Sequence, residues 1–502
     1  MIRIKTTDGS DIAFEPKHFA QGGMKDVHWV EGRRAVIGFY RNKPDQKGME
    51  RLQAIVGPHR TSILDGAGGE TLGKLFRWPE ALVEWNGTVG VVVPVFDSQF
   101  FFQNGSFDND RLRIKGREKE GKWFASAHNR NRFLDQREVG DWLGYLKICI
   151  RLARAVRRLH ASGLAHSDLS YKNVLVDPLT GDACIIDIDG LVVPDKFPPE
   201  VVGTPDFVAP EVVATQNLDI TDPRRKLPNM QTDLHALAVL IYMYLTLRHP
   251  LKGRKIHDPE DSARDDTLSM GKHALFVEHP DDASNRINLD YVRETELPWA
   301  DIDQRPMSLC GPLITDLFKR AFIDGLHDPA QRPRADDWER ALVLTADMLL
   351  PCANANCTGK WFVFDNTHSP ACPFCGTAYG QDVPILNLYS ARSGETFRPD
   401  NHRVTIYDGI GLYAWHANRF KSPNERLAPT DRARLAYFQK HAGQWHMVNE
   451  GLPDMHDVTG GNPVPPGQSV VLTDGAQILL DRSNGGRLIQ VQLAGKNDTE
   501  PS

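Results

Sequence analysis

Residues 166–190 read HSDLSYKNVLVDPLTGDACIIDIDG, and the rest of the chain is read outward from them. Asp168, Lys172 and Asn173 sit in one short loop. Asp187 follows the apolar run "ACII", which should be a strand. This set of side chains suits transfer of a phosphoryl group, a reaction that is mostly positioning and charge neutralisation. It needs a carboxylate near the accepting hydroxyl, oxygen ligands for magnesium and a cation near the moving phosphate.

The stretch resembles the protein kinase family: "HSDLSYKN" looks like the catalytic loop and "DID" like the magnesium-binding aspartate motif. The resemblance implies that Asp168 is the catalytic base, that Asn173 and Asp187 bind magnesium, and that Lys172 is a catalytic-loop cation. Lys172 lies four residues after Asp168, where many tyrosine kinases carry arginine. Most serine/threonine kinases place lysine two residues after the aspartate, where this chain has Ser170. The loop therefore leaves the preferred hydroxyl open; serine/threonine is the expectation adopted. Further motifs follow in order. "GTPDFVAPE" resembles the end of an activation segment, with Glu211 as its terminal acid. "QTDLHALAVLIYMYLTLRHP" resembles the central helix of the helical lobe, with Asp233 tying down the catalytic loop. "DPAQRPRADDW" resembles the late segment whose Arg332 pairs with Glu211. Their order and spacing carry more weight than any one of them.

Two departures stand out. Ser167 replaces the arginine that precedes the catalytic aspartate in most kinases, and Thr204 is the only hydroxyl side chain between Asp187 and Glu211. The phosphate receiver and the phosphate site are both missing, so switching by activation-loop phosphorylation is not expected. Ile188 and Asp189 stand where Phe-Gly is usual, with Gly190 one place later.

The third departure concerns a lysine. Residues 35–41, "AVIGFYR", read as the buried strand that normally supplies it, yet Gly38 stands there. Upstream, "AQGGMKDVHW" resembles the glycine-rich loop, with Gly22 and Gly23 in the turn, Val27 as the residue packing on adenine, and Lys25 at the third glycine position. The with-no-lysine kinases make this exchange, and the resemblance implies that Lys25 reaches the ATP phosphates. Glu50, in the helix expected around "DQKGMERLQAIV", is its expected ion-pair partner; Glu70 is the alternative. "VVVPVF" at 91–96 resembles the hinge strand.

The chain of 502 residues is long enough for several domains, and its net charge of −6 gives no reason to expect a nucleic-acid partner. "MIRIKTTDGS" is too polar for a signal peptide, and "LHALAVLIYMYLTL" too short to span a bilayer. Seven cysteines in this length do not make a disulfide framework, so a cytoplasmic location is expected. The polar, basic segment 103–135 reads as a solvated connection, with a docking patch for an acidic or phosphorylated partner as the alternative.

Cys352, Cys357, Cys372 and Cys375 form C-x₄-C and C-x₂-C pairs, a set that closes a structural zinc site and resembles a zinc ribbon. From 384 on, short apolar runs between Gly, Pro, Asn and Asp suggest a β-sandwich. "PPGQSVVL" and "DGAQILL" resemble a forkhead-associated (FHA) domain. Its phosphate-binding elements are poorly matched, with "TDRA" and "LPDM" in their places. The succession of kinase, ribbon and β domain resembles the kinase of bacterial tellurite-resistance-associated TerY-P triads, which implies a von Willebrand A-type protein and a PPM-type phosphatase as partners.

The expected architecture is α+β: a kinase N-lobe over 1–100, a C-lobe over 101–350, a zinc ribbon over 351–380 and an FHA-like sandwich over 384–495. The expected function is ATP- and Mg²⁺-dependent phosphorylation of protein substrates, with Zn²⁺ in the ribbon and no membrane association. The alternative is a pseudokinase scaffold docking partners through its C-terminal modules. A small-molecule kinase is disfavoured by "GTPDFVAPE", which resembles a peptide platform.

Overall fold

The computed structural model describes residues 1–193, 203–219, 221–365, 370–391 and 396–495. The interior of the expected activation segment, 194–202, and part of the expected ribbon, 366–369, lie outside the described residues. The chain divides into two compact units. One comprises 1–140, 144–306 and 316–339; the other comprises 141–143, 307–315 and 340–502.

In the first unit, five antiparallel strands make one sheet: β1 (Ala20–Gln21), β2 (Lys25–Trp29), β3 (Ala35–Tyr40), β4 (Ala81–Trp85) and β5 (Thr88–Pro94), in the order β1-β2-β3-β5-β4. Strand periodicity splits "AVIGFY" between two faces. Ile37 and Phe39 join Phe14, Val83 and Val92 in one core. Tyr40 joins Leu82, Val89 and Val91 in the other, against Leu52 of helix α1 (Gln46–Ala54). The Asp45 carboxylate caps α1 by accepting from the Gly48 amide at 2.7 Å.

The helical part is built around α2 (Trp142–Ala161) and α3 (Met230–Thr246). Leu146, Cys149 and Ala153 are all fully buried on α2, as their helical spacing predicts. Helix α3 is buried on every side from Thr232 to Thr246. That explains its continuous apolar run: it is the centre of a core. No helix among the described residues is long and apolar enough to cross a membrane.

The segment 103–135 is only in part the solvated connection its charges suggest: Arg111, Arg113, Lys115, Arg117 and Glu118 are exposed, but other positions are enclosed. Ile114 and Phe124 are buried, and Lys119 is enclosed with its ammonium 2.9 Å from Glu138 and 2.8 Å from Asp177. Two carboxylates around one lysine compensate its burial, a pairing across distant sequence that local composition does not reveal.

Helix α4 (Ala335–Asp347) precedes the second unit's hairpin of Leu349–Pro351 with Trp361–Val363. Two antiparallel sheets follow, of six and four strands. Leu386, Val404, Ile478 and Ile489 of one meet Phe438, Met447 and Val470 of the other in a shared core. The hairpin does not stand alone: Leu350, Phe362, Cys357 and Cys372 share a core with Val383, Ile385 and Ala494.

Candidate active site and cysteine cluster

The catalytic-loop region is held from α3. The Asp233 carboxylate accepts from the backbone amides of His166 at 2.7 Å and Ser167 at 3.0 Å. Ser167 has φ 68°, a left-handed conformation that these two bonds help to hold. The His166 ring bonds the Ile186 carbonyl at 2.9 Å, tying the loop to the segment that delivers Asp187.

Asp168 is held at both carboxylate oxygens. Asn173 Nδ2 donates to Asp168 Oδ2 at 2.9 Å and to its carbonyl at 2.8 Å. Thr204 donates to Oδ1 through its amide at 2.6 Å and its hydroxyl at 2.9 Å. Ser170 Oγ lies 3.1 Å from the Thr204 hydroxyl. Asp187, at φ 61°, keeps its carboxylate open to solvent, with 59% side-chain exposure. Lys172 is exposed. Behind the site, Arg332 grips Glu211 with two bonds of 2.8 and 2.9 Å.

Lys25 lies on β2 directly opposite Tyr40, and Val27 lies opposite Gly38. Gly22 and Gly23 form the exposed turn before β2, with the Gly22 amide bonded to the Lys25 carbonyl at 2.8 Å. The Lys25 stem crosses Gly38: a Cβ there would lie 3.2 Å from Lys25 Cδ and 3.7 Å from Lys25 Cβ. The ammonium pairs with Asp189, lies 3.6 Å from Asp187 Oδ1, and sits 4.8 Å from the Tyr40 ring centre. Burial pulls the Lys25 pKa down, but the charges of Asp189 and Asp187 outweigh it and hold the ammonium above its usual value.

Neither expected acidic partner reaches Lys25. Glu50 is exposed on α1 and takes a bond from Gln46 at 3.2 Å; Glu70 is exposed and 3.5 Å from Lys74. The face of α1 lining the cleft carries Arg51 instead. Helical phase decides this: burying Gly48, Arg51 and Leu52 turns Glu50 to solvent. Nothing local in the sequence marks Tyr40 or Arg51 as site residues. Asp189 stands out in the sequence only as part of the Ile188–Asp189 departure from Phe-Gly.

In the second unit, the four cysteine sulfurs converge within 4.8 Å of one another, with Cys352–Cys375 at 3.5 Å and Cys357–Cys372 at 3.8 Å. Four ligands at the usual zinc–sulfur distance are about 3.8 Å apart in a tetrahedron, so this set fits one zinc ion. Asp347, His402 and His416 also cluster, but they suit a metal poorly. The Tyr413 amide donates to His416 Nδ1 at 3.1 Å, which leaves the proton on Nε2, facing Asp347 at 3.2 Å. His402 Nε2 faces the other Asp347 oxygen at 2.7 Å. The carboxylate accepts from both rings and fastens the end of α4 to the β structure.

Residues 120–310 match the protein kinase domain family. The chain is 29% identical over 149 residues to the serine/threonine-protein kinase PknD of Chlamydia abortus, covering 25% of this chain and 14% of that protein. It is 27% identical over 133 residues to the serine/threonine-protein kinase Pkn1 of Myxococcus xanthus, covering 24% and 18%. It is 37% identical over 103 residues to the death-associated protein kinase dapk-1 of Caenorhabditis elegans, covering 20% and 6%. The chain thus carries a protein kinase domain, with serine/threonine-protein kinases as its relatives, and spans under a fifth of the length of each of these three.

Proposed function

We propose that the chain is an ATP- and magnesium-dependent protein kinase acting on serine or threonine hydroxyls. The observation that carries this reading is the Asp168–Asn173–Thr204 arrangement beside the open carboxylate of Asp187. Asp168, fixed at both oxygens, would orient the incoming hydroxyl and take its proton. Asn173 and Asp187 would hold magnesium, which neutralises phosphate charge when bound. Lys25, lying across Gly38, would supply the cation that β3 lacks. Lys172, exposed in the same loop as Asp168, would act as the catalytic-loop cation near the moving phosphate. Gly22, Gly23 and Val27 would cover the nucleotide, and "VVVPVF" would hold adenine.

The four cysteines would bind structural zinc. The β domain would dock partner proteins, with a von Willebrand A-type protein and a PPM-type phosphatase as candidates by the TerY-P resemblance. A reducing, cytoplasmic setting is the one proposed, with Cys149, Cys184 and Cys310 all buried.

The deciding experiment measures phosphate transfer from ATP, by autophosphorylation and to a generic protein substrate, in the wild type and Asp168→Asn. Transfer that vanishes in the variant supports the kinase. Transfer unchanged in the variant refutes it, and nucleotide binding without transfer in either protein favours the scaffold.

A further inference from the structure

We infer that Asp189 is the carboxylate that positions Lys25, so that the phosphate-facing cation is anchored by the segment carrying Asp187 and not by helix α1. The inference rests on the kinase reading of the cleft and adds a positioning residue to it. Asp189 is enclosed, with 6% of its side chain exposed, and two donors, Lys25 Nζ and Tyr40 Oη, converge on its Oδ2. A lone carboxylate so buried would be costly; one held by an ammonium and a phenol is compensated.

Both donors come from the sheet. Lys25 and Tyr40 are register partners across β2 and β3, so sheet pairing alone brings them to the same point. Helix α1 offers no substitute anchor. Its Glu50 is exposed, and Arg51, which lines the cleft, has the same sign as Lys25.

The consequence is mechanical. Asp189 lies in the short turn Ile188–Gly190, immediately after Asp187. The position of Lys25 therefore follows the metal-binding turn, and a displacement of α1 would leave the Lys25–Asp189 pair intact. The cation near the phosphates and the carboxylate that would hold magnesium are set by one local conformation.

A double-mutant cycle on the full chain tests the pairing, with trinitrophenyl-ATP and magnesium as the binding probe. Lys25→Met and Asp189→Asn are each expected to weaken binding about tenfold, and the double variant no further than either single one. Glu50→Gln is expected to stay within about twofold of the wild type and to add nothing to Lys25→Met. Effects of Lys25→Met and Asp189→Asn that multiply to about a hundredfold overturn the inference, as does wild-type binding by Asp189→Asn.

A second measurement needs neither nucleotide nor activity: the rate at which acetic anhydride acylates Lys25, followed by mass spectrometry. Asp189→Asn is expected to raise that rate severalfold and Glu50→Gln to leave it unchanged; equal rates in all three proteins overturn the inference. If Asp189→Asn loses its melting transition, Glu50→Gln decides alone: faster Lys25 acylation overturns the inference and an unchanged rate supports it. A wild type that fails to bind the probe refutes the kinase reading, while the acylation result still judges the Lys25–Asp189 pair.

Discussion

A single glycine shows how one residue shapes this cleft. Gly38 offers nothing to a ligand, yet its missing side chain is the space that the Lys25 stem occupies. Three predictions belong at this scale. Lys25→Met should lower ATP affinity and turnover together, by at least about tenfold in kcat/KM, because the polyphosphate would lose its buried counter-charge. Gly38→Val should produce a similar loss while Lys25 remains, since its branches would overlap the lysine stem; steady-state kinetics at limiting ATP check both. Asp168→Asn should reduce kcat by roughly 10²–10⁴, the span of general-base contributions, with the chain still folded: the amide oxygen can keep the Thr204 bonds while its NH2 meets the Asn173 donor, so the melting temperature should fall slightly. Asp168 and Asn173 were legible in the sequence because their chemistry is local to one loop. The anchor of Lys25 was not, because it depends on which way α1 turns about its axis.

At the scale of elements, two staples carry specific expectations. Arg332 is almost fully buried, grips Glu211, and also donates to the carbonyls of Gly325 at 2.8 Å and Gln231 at 3.0 Å. Arg332→Ala leaves the partly buried Glu211 carboxylate and several carbonyls unpaired, and should cost about 3–5 kcal/mol in denaturant unfolding. The cysteine cluster is the second staple. Cys357 and Cys372 belong to the same core as Val383 and Ile385, so zinc loss should be felt beyond the hairpin. Purified, reduced protein should contain about one zinc per chain. Chelation or Cys372→Ser should lower the melting transition of the second unit and leave phosphate transfer from ATP, the chemistry at Asp168, intact. Metal analysis that finds no zinc removes this expectation.

At the scale of the whole molecule, buried histidines set a limit in acid. His235 is enclosed, and burial holds its pKa well below the usual 6.5. His249 is pushed down to about 4, by burial foremost. Both are neutral when folded and bind protons more readily when unfolded. Their contribution is therefore complete above the unfolded pKa of 6.5 and is lost as pH falls below it, for His249 down to about 4. That window corresponds to roughly 3 kcal/mol for His249 alone. Urea midpoints for the first unit should fall steadily from pH 7 to pH 4, and His249→Gln should flatten the slope. A midpoint independent of pH in this range would contradict the burial of these rings.

The sequence by itself determined the parts whose physics is local. The loop carrying Asp168 and Asn173, the strand period of "AVIGFY", the apolar run of α3 and the paired cysteines each declare themselves within a few residues. In each, periodicity, turn chemistry or ligand spacing is a property of the segment. Tertiary structure alone decided what depends on distant surfaces meeting. It turned Glu50 to solvent and Arg51 to the cleft, because α1 had to bury Gly48 and Leu52. It drew Lys119 inside while its neighbours Arg117 and Glu118 stayed exposed, because Glu138 and Asp177 were there to receive its ammonium. It gave the Lys25 ammonium to Asp189, 164 residues away in sequence. Burial of a charge is settled by its partners, and partners so far apart in the chain leave no periodic trace in it.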